Sequence, residues 1–163
     1  MLCAALLFSY LESFLPFAAW LPLPGFKLGL PNLVVMFAAL RFSLLDAVVI
    51  SLSRVLLIAI LFGHAGSFLF SLCGAVLSLF ALLLLTHFKC RFVSCIGLSV
   101  TCAEFHNAGQ LLAALLLFSV QAALMYAPLL IFIALISGTV NGILLRILLK
   151  RLPDFSFFRK NKF

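Results

Sequence analysis

The chain has 163 residues, enough for one domain, of which 66% are hydrophobic and only 9% are charged. A soluble domain carries about 25% charged residues, so the composition excludes a water-soluble globular protein and predicts an all-α integral membrane protein. The formal net charge of +7 does not indicate a nucleic-acid partner, because lysine and arginine collect on the cytoplasmic loops of membrane proteins.

Six apolar stretches predict six transmembrane helices. They cover about residues 2–20, 31–40, 44–62, 67–86, 92–118 and 128–150. Crossing the hydrocarbon core takes about 20 apolar residues, so the second stretch is short for a full span. We expect residues 1–152 to form one six-helix membrane domain, and residues 153–163 to form a basic aromatic cytoplasmic tail. The tail suits membrane lipids, with docking to a cytoplasmic partner as the alternative.

The distribution of lysine and arginine predicts the orientation. If six helices cross, nine of the eleven cations lie on the side of the two termini, Lys27 lies on the other side, and Arg54 lies inside a span. Positive loops stay in the cytoplasm, so both termini are expected there.

The fifth stretch contains four polar side chains within seven residues: Glu104, His106, Asn107 and Gln110. At 100° per residue His106, Asn107 and Gln110 share one helix face, and Glu104 lies at its edge. Polar groups at that depth are expensive unless they face a partner, a cavity or a substrate. The pattern predicts a polar binding site inside the bundle; the alternative is hydrogen bonding between helices for structural reasons.

Other polar residues extend this prediction. Arg54 needs an acceptor within the membrane, and we expect Glu12, Glu104 or an anionic ligand, with a purely structural ion pair as the alternative. Asn141 lies beside a face of small residues on the sixth stretch and could reach the same cavity. Lys27 lies in a loop rich in glycine and proline, which suits a lid over an outward-opening cavity or an ordinary solvated connection.

Motifs for catalysis are missing from the chain. It has no Walker A sequence, no DDxxD pair for Mg²⁺ and diphosphate, and no GxSxG or HExxH. Its five cysteines form no CxxC pair. We therefore expect neither a metal nor a cofactor, and an enzyme is less favoured than a binding subunit.

Four segments carry a resemblance to a known family: PGFKLGLPN at 24–32, SLSR ending at Arg54, SFLFSLCGAVLS at 67–78 and HNAGQ at 106–110. The chain resembles the Gx transporter family, whose members are often labelled heptaprenyl diphosphate synthase component I. That family looks like the S components of energy-coupling factor transporters in the bacterial cytoplasmic membrane. The resemblance implies six helices, both termini inside, and a substrate pocket toward the outer face. It also implies a link to flavin or quinone metabolism, and it adds weight to a set of candidate residues: Lys27, Asn32, Arg54, His106, Asn107 and Gln110.

Three functions remain open at this point. The first is a substrate-binding or transport subunit for a small molecule, which would need energising partner subunits because the chain has no motor motif. The second is a non-catalytic accessory subunit of polyprenyl diphosphate synthesis, since four scattered acidic residues cannot hold Mg²⁺ and diphosphate. The third is a structural component of a membrane redox assembly, whose polar face serves only packing.

Overall fold

A computed structural model describes residues 1–14, 29–62, 65–87, 94–118 and 120–152. These residues form six α-helices and no strand, which confirms the predicted all-α fold. The helices are α1 (Leu2–Phe14), α2 (Leu30–Arg41), α3 (Leu44–Phe62), α4 (Ala65–His87), α5 (Cys95–Leu117) and α6 (Val120–Arg151). The predicted loop around Lys27, the 63–64 connection and the tail lie outside the described residues.

The predicted start of the last helix near Pro128 is wrong. Helix α6 already begins at Val120, and Pro128 lies inside it. Proline removes one backbone donor and usually breaks a soluble helix, but an apolar environment enforces helical hydrogen bonding on the residues around it. The predicted bounds of α3 agree with the structure, and those of α2 differ from it by one residue at each end.

Helix α2 is short but lies at the centre of the bundle. Its residues 33–38 are all buried, so every side of the helix is covered. The main core cluster joins this run to buried side chains of the five other helices, such as Ala5, Ile50, Leu82 and Leu145. Residues 33–40 of α2 are all apolar, which is the pattern expected of an enclosed stretch of helix.

Helix α5 packs most extensively, against α4 on one side and α6 on the other. Glycines make this approach close: a β-carbon at Gly138 would lie 2.7 Å from the Cα of Val100, and one at Gly142 would lie 2.5 Å from the Cα of Ile96. Gly109 of α5 meets the backbone carbonyl of Cys73 in the same way. Small residues allow such close helix contacts, and the pairings run antiparallel along both neighbours.

The C-terminal ends of α2 and α6 lie together. Arg41 Nη2 donates hydrogen bonds to the carbonyl oxygens of Leu149, at 2.9 Å, and Leu152, at 2.6 Å. These carbonyls belong to the last turn of α6, where backbone acceptors lack helical partners and attract cations. The contact brings Arg41 to the end of α6 that also carries Lys150 and Arg151.

Three helices of the described part are long and apolar enough to cross a membrane: Leu44–Leu61, Gly66–Thr86 and Ala127–Arg151. Shorter apolar helices cover Leu2–Glu12 and Leu30–Arg41. Helix α5 is as long as α4, but its polar residues lower its hydropathy. The chain is therefore compatible with a membrane protein. The sequence predicted six spans, and three helices of the described residues are long and apolar enough to be spans.

Candidate functional site

A small polar cavity lies where α2, α5 and α6 meet. Its lining includes Asn32, His106, Asn107 and Asn141, four of the residues predicted from the sequence. Its volume is about 20 Å³, which is room for about one water molecule. Polar side chains from three helices thus converge on one small pocket, called the polar pocket below.

His106 is held tightly at the wall of the polar pocket. Its ring lies against Gly74 of α4, where a β-carbon would come within 2.7 Å of the imidazole Cε1. On its other side, Nε2 lies 3.3 Å from Gln110 Nε2. In the tautomer whose proton lies on Nδ1, the Nε2 atom of His106 accepts this hydrogen bond from the Gln110 amide. Gln110, one turn along α5, therefore orients the imidazole and is itself buried.

Asn107 connects α5 to α6. Its Nδ2 donates a hydrogen bond of 2.8 Å to the carbonyl oxygen of Leu130. The same side chain lines both the polar pocket and a second, larger cavity. Asn107 therefore lies between the polar pocket and the larger cavity.

The second cavity is an apolar groove of about 340 Å³ between α4, α5 and α6, and Glu104 lines it together with Asn107. Glu104 Oε1 is buried and has no hydrogen-bond partner among the described residues. The prediction placed Glu104 at the edge of the polar arc, and the structure puts it on the far side of Asn107 from the polar pocket.

Arg54 lies in a third place, between α1 and α3. It is 7% exposed, and its Nη1 donates a hydrogen bond of 3.3 Å to Ser9 Oγ. Glu12, one of its predicted partners, is close enough to interact with it electrostatically, whereas Glu104 belongs to the groove. The Nε and Nη2 atoms of Arg54 have no acceptor in the described part of the chain.

Glu12 lies between Arg54 and the polar pocket. Its Oε1 accepts a hydrogen bond of 2.7 Å from the backbone N–H of Leu30, at the start of α2. The preceding residue, Gly29, has a φ of 78° and lines the polar pocket. A carboxylate at a helix N-terminus satisfies an otherwise unpaired backbone donor, so Glu12 fixes the end of α2 that forms one wall of the pocket.

The predicted site residues are therefore divided among three places. Asn32, His106, Asn107 and Asn141 meet at the polar pocket, with Gln110 behind His106. Glu104 and Arg54 lie elsewhere. Lys27 lies outside the described residues.

Sequence reasoning missed several residues that line the polar pocket: Gly29, Met36, Ser99, Cys102 and Ser137. Ser99 is 1% exposed, and its Oγ has no hydrogen-bond partner among the described residues. Helical periodicity could have found two of them. Residues 99 and 102 recur with residues 103 and 106 at the spacing of one helix face. Within the described residues no three His, Cys, Asp or Glu side chains come together as a metal site.

Comparison with known proteins supports the resemblance seen in the sequence. A family model described as heptaprenyl diphosphate synthase component I matches residues 1–148. Neither the curated proteins nor the solved structures contain a significant match to the chain. Because the family model covers most of the chain, this protein belongs to the heptaprenyl diphosphate synthase component I family.

Proposed function

We propose that the chain is a membrane-embedded substrate-binding subunit, similar to the S components of energy-coupling factor transporters, and that the polar pocket is its ligand site. The observation that carries the proposal is the convergence of Asn32, His106 and Asn141 from three different helices on one cavity. Polar side chains within a membrane bundle mark substrate pathways more often than they serve packing alone.

In this proposal six helices cross the bacterial cytoplasmic membrane with both termini in the cytoplasm. The contact between Arg41 and the last turn of α6 supports it, because it brings together two cationic helix ends that the positive-inside rule assigns to the cytoplasm. Helix α5 then crosses despite its polar residues, since these face the pocket, the groove and α6.

The pocket chemistry indicates a small ligand with several hydrogen-bonding groups. Three asparagines, a histidine and two serines supply both donors and acceptors. Ligand pockets usually have volumes of about 300–1,000 Å³, so a pocket of about 20 Å³ must open before an organic ligand enters. The start of α2 is the element whose movement enlarges it most directly, and Lys27 belongs to the segment that precedes this helix.

Transport would require partner subunits that supply energy, and membrane lipids surround the bundle. The link to flavin or quinone metabolism comes from the resemblance alone. Two of the predicted site residues receive other roles here: Arg54 anchors α1 to α3, and Glu104 belongs to the apolar groove.

A second candidate is a non-catalytic accessory subunit of polyprenyl diphosphate synthesis or of a membrane redox assembly. The family description and the apolar groove of about 340 Å³ favour it. The chain lacks paired acidic clusters for Mg²⁺ and diphosphate, so any synthase activity would belong to a partner.

A thermal-shift screen of the purified protein distinguishes these candidates. The panel contains flavins, other vitamins and nucleobases on one side, and isoprenoid diphosphates and quinones on the other. A rise in melting temperature with a water-soluble compound supports the binding subunit, and a rise only with a prenyl diphosphate or quinone supports the accessory subunit. If His106→Ala and Asn107→Ala express normally and bind the active compound unchanged, the polar pocket is not its site.

A further inference from the structure

We propose that the apolar groove beside Glu104 is a separate site, which binds a neutral hydrocarbon carrying a hydroxyl group and receives it from the bilayer. The groove is lined by apolar side chains of α4, α5 and α6 and by two polar ones, Glu104 and Asn107. The apolar lining residues include Leu77, Phe105, Ala108, Leu111, Leu130 and Ile131. The inference rests on the proposed placement of α5 within the membrane, but not on the identity of the ligand in the polar pocket.

The groove has the size and composition of a ligand site. Its volume of about 340 Å³ is at the lower end of the usual range for ligand pockets. A dry cavity of about 150 Å³ already accepts benzene. Such pockets combine an apolar lining with a few polar groups that orient the ligand, and the groove fits that description better than the polar pocket does.

The groove opens toward the outside of the bundle. Phe105 is 38% exposed and Ile131 is 53% exposed, so the groove has a wall on the surface of the helix bundle. In a membrane that surface faces lipid. A hydrocarbon therefore reaches the groove by lateral diffusion, without crossing the aqueous face of the protein.

Glu104 selects the headgroup. Its Oε1 is buried and has no hydrogen-bond partner among the described residues, and leaving such an acceptor unsatisfied costs about 1–3 kcal/mol. A hydroxyl hydrogen from the ligand satisfies this oxygen. The described lining residues include no cationic side chain, so an anionic headgroup at this position would lose its hydration without gaining a counter-charge.

The depth of Glu104 argues against a phospholipid. Glu104 lies near the middle of α5, and Leu77, across the groove, lies near the middle of α4. At 1.5 Å per residue, each is about 14–20 Å from both ends of its helix, which is close to or more than half the thickness of the hydrocarbon core, about 15 Å. Phospholipid headgroups stay at the interface, so a donor at this depth belongs to a neutral molecule that dissolves in the bilayer interior.

The test uses a photoreactive probe, 1-hexadecanol with a diazirine in its chain, and the full-length protein in nanodiscs. The expected result is crosslinking to residues 104–111 and 127–131, competed by unlabelled 1-hexadecanol. Hexadecyl methyl ether, which lacks the donor, should compete about three- to tenfold less well, the effect of one hydrogen bond. Hexadecyl phosphate should compete no better than the ether.

Two variants and a control locate the site. Ala108→Trp fills the groove and should abolish competed crosslinking, whereas Leu112→Trp, at an exposed position on the same helix outside the groove lining, should leave it unchanged. Glu104→Leu should keep the crosslink but lose the preference for alcohol over ether. Equal competition by alcohol and ether in the wild type, or crosslinking that survives Ala108→Trp, would overturn the proposal.

The polar pocket is monitored separately in the same variants. The melting-temperature shift with a water-soluble ligand depends on His106, not on Ala108, so Ala108→Trp should retain it. Loss of this shift in His106→Ala, with crosslinking intact, would leave the groove proposal standing. Loss of crosslinking in Ala108→Trp, with the shift intact, is the result that both proposals expect.

Discussion

The two halves of the bundle are held together by different forces. In the N-terminal half, α1 and α3 meet through buried polar groups: Arg54, Ser9 and Glu12. In the C-terminal half, α4, α5 and α6 meet through glycines at near backbone contact, such as Gly109 and Gly142. In the N-terminal half, directional polar contacts thus add to the apolar core, whereas the C-terminal half relies mainly on the close fit of its helix backbones.

The polar pocket lies where these two halves meet. Its wall on α5 and α6 belongs to the closely packed half, and its wall on α2 is fixed by the hydrogen bond from Leu30 to Glu12. We infer that the pocket opens through changes around Glu12 and the start of α2, while α5 and α6 keep their register. The following substitutions test this difference, from the largest expected effect to the smallest.

Removing Glu12 should have the largest effect. Glu12→Ala leaves Arg54 buried without its nearby carboxylate and frees the N-terminus of α2, so we expect a loss of about 3 kcal/mol, at the lower end of the cost of removing one partner of a buried charge pair. The measurement is the free energy of unfolding in mixed micelles. Glu12→Gln retains a hydrogen-bond acceptor for the backbone N–H of Leu30, so it should lower the free energy of unfolding less than Glu12→Ala does.

The control for this prediction is Asp46→Asn, at an exposed acidic residue, which should change stability by less than about 0.5 kcal/mol. Combining Glu12→Gln with Arg54→Met should recover part of the loss, because the buried charge is then removed as well. If Glu12→Gln is as mild as Asp46→Asn, the N-terminal half does not depend on this pair.

Gly109→Ala should disturb the C-terminal half. The added β-carbon meets the carbonyl oxygen of Cys73 and the Cα of Gly74, which are backbone atoms that cannot rotate away, so we expect a loss of about 1–3 kcal/mol. Gly66→Ala is the matched control, because a β-carbon there has nothing within 4 Å. Equal melting temperatures for both variants would contradict the close packing of α4 and α5.

Asn107→Leu should have a moderate effect. The change removes the hydrogen bond to Leu130, and hydrogen bonds between transmembrane helices contribute about 0.6–1.7 kcal/mol. Gln121→Leu, at an exposed position of α6, is the control. A variant as stable as the control would indicate that the contact does not join α5 to α6.

Arg41→Gln should have the smallest effect. A cation at the last turn of a helix contributes about 0.3–1 kcal/mol, and Arg41 donates to two carbonyls of α6. Lys150→Gln removes a nearby charge, at an exposed position. Urea titrations of both variants test the contact, and indistinguishable midpoints would show that Arg41 acts only as a general positive charge.

Sequence periodicity placed His106 and Asn107 on one face of α5, and both line the polar pocket. Periodicity did not show that Glu104 lies in the apolar groove and not in the polar pocket. The two cavities are separated where Asn107 contacts α6, and this contact cannot be read from one helix alone. The closeness of Arg54 to Glu12 was one of several open possibilities, and no local pattern could choose among them. The central position of α2 was not predicted, because a helix of 12 residues is a weak membrane signal.

Binding to the polar pocket is the measurement that tests the account most directly. With the compound that raises the melting temperature of the wild type, titration calorimetry should give a dissociation constant at least about tenfold higher for His106→Ala, a loss of about 1.4 kcal/mol. Asn141→Ala should show a similar loss, and Leu112→Ala should bind as the wild type does. Unchanged affinity in both pocket variants would contradict a ligand site at this pocket.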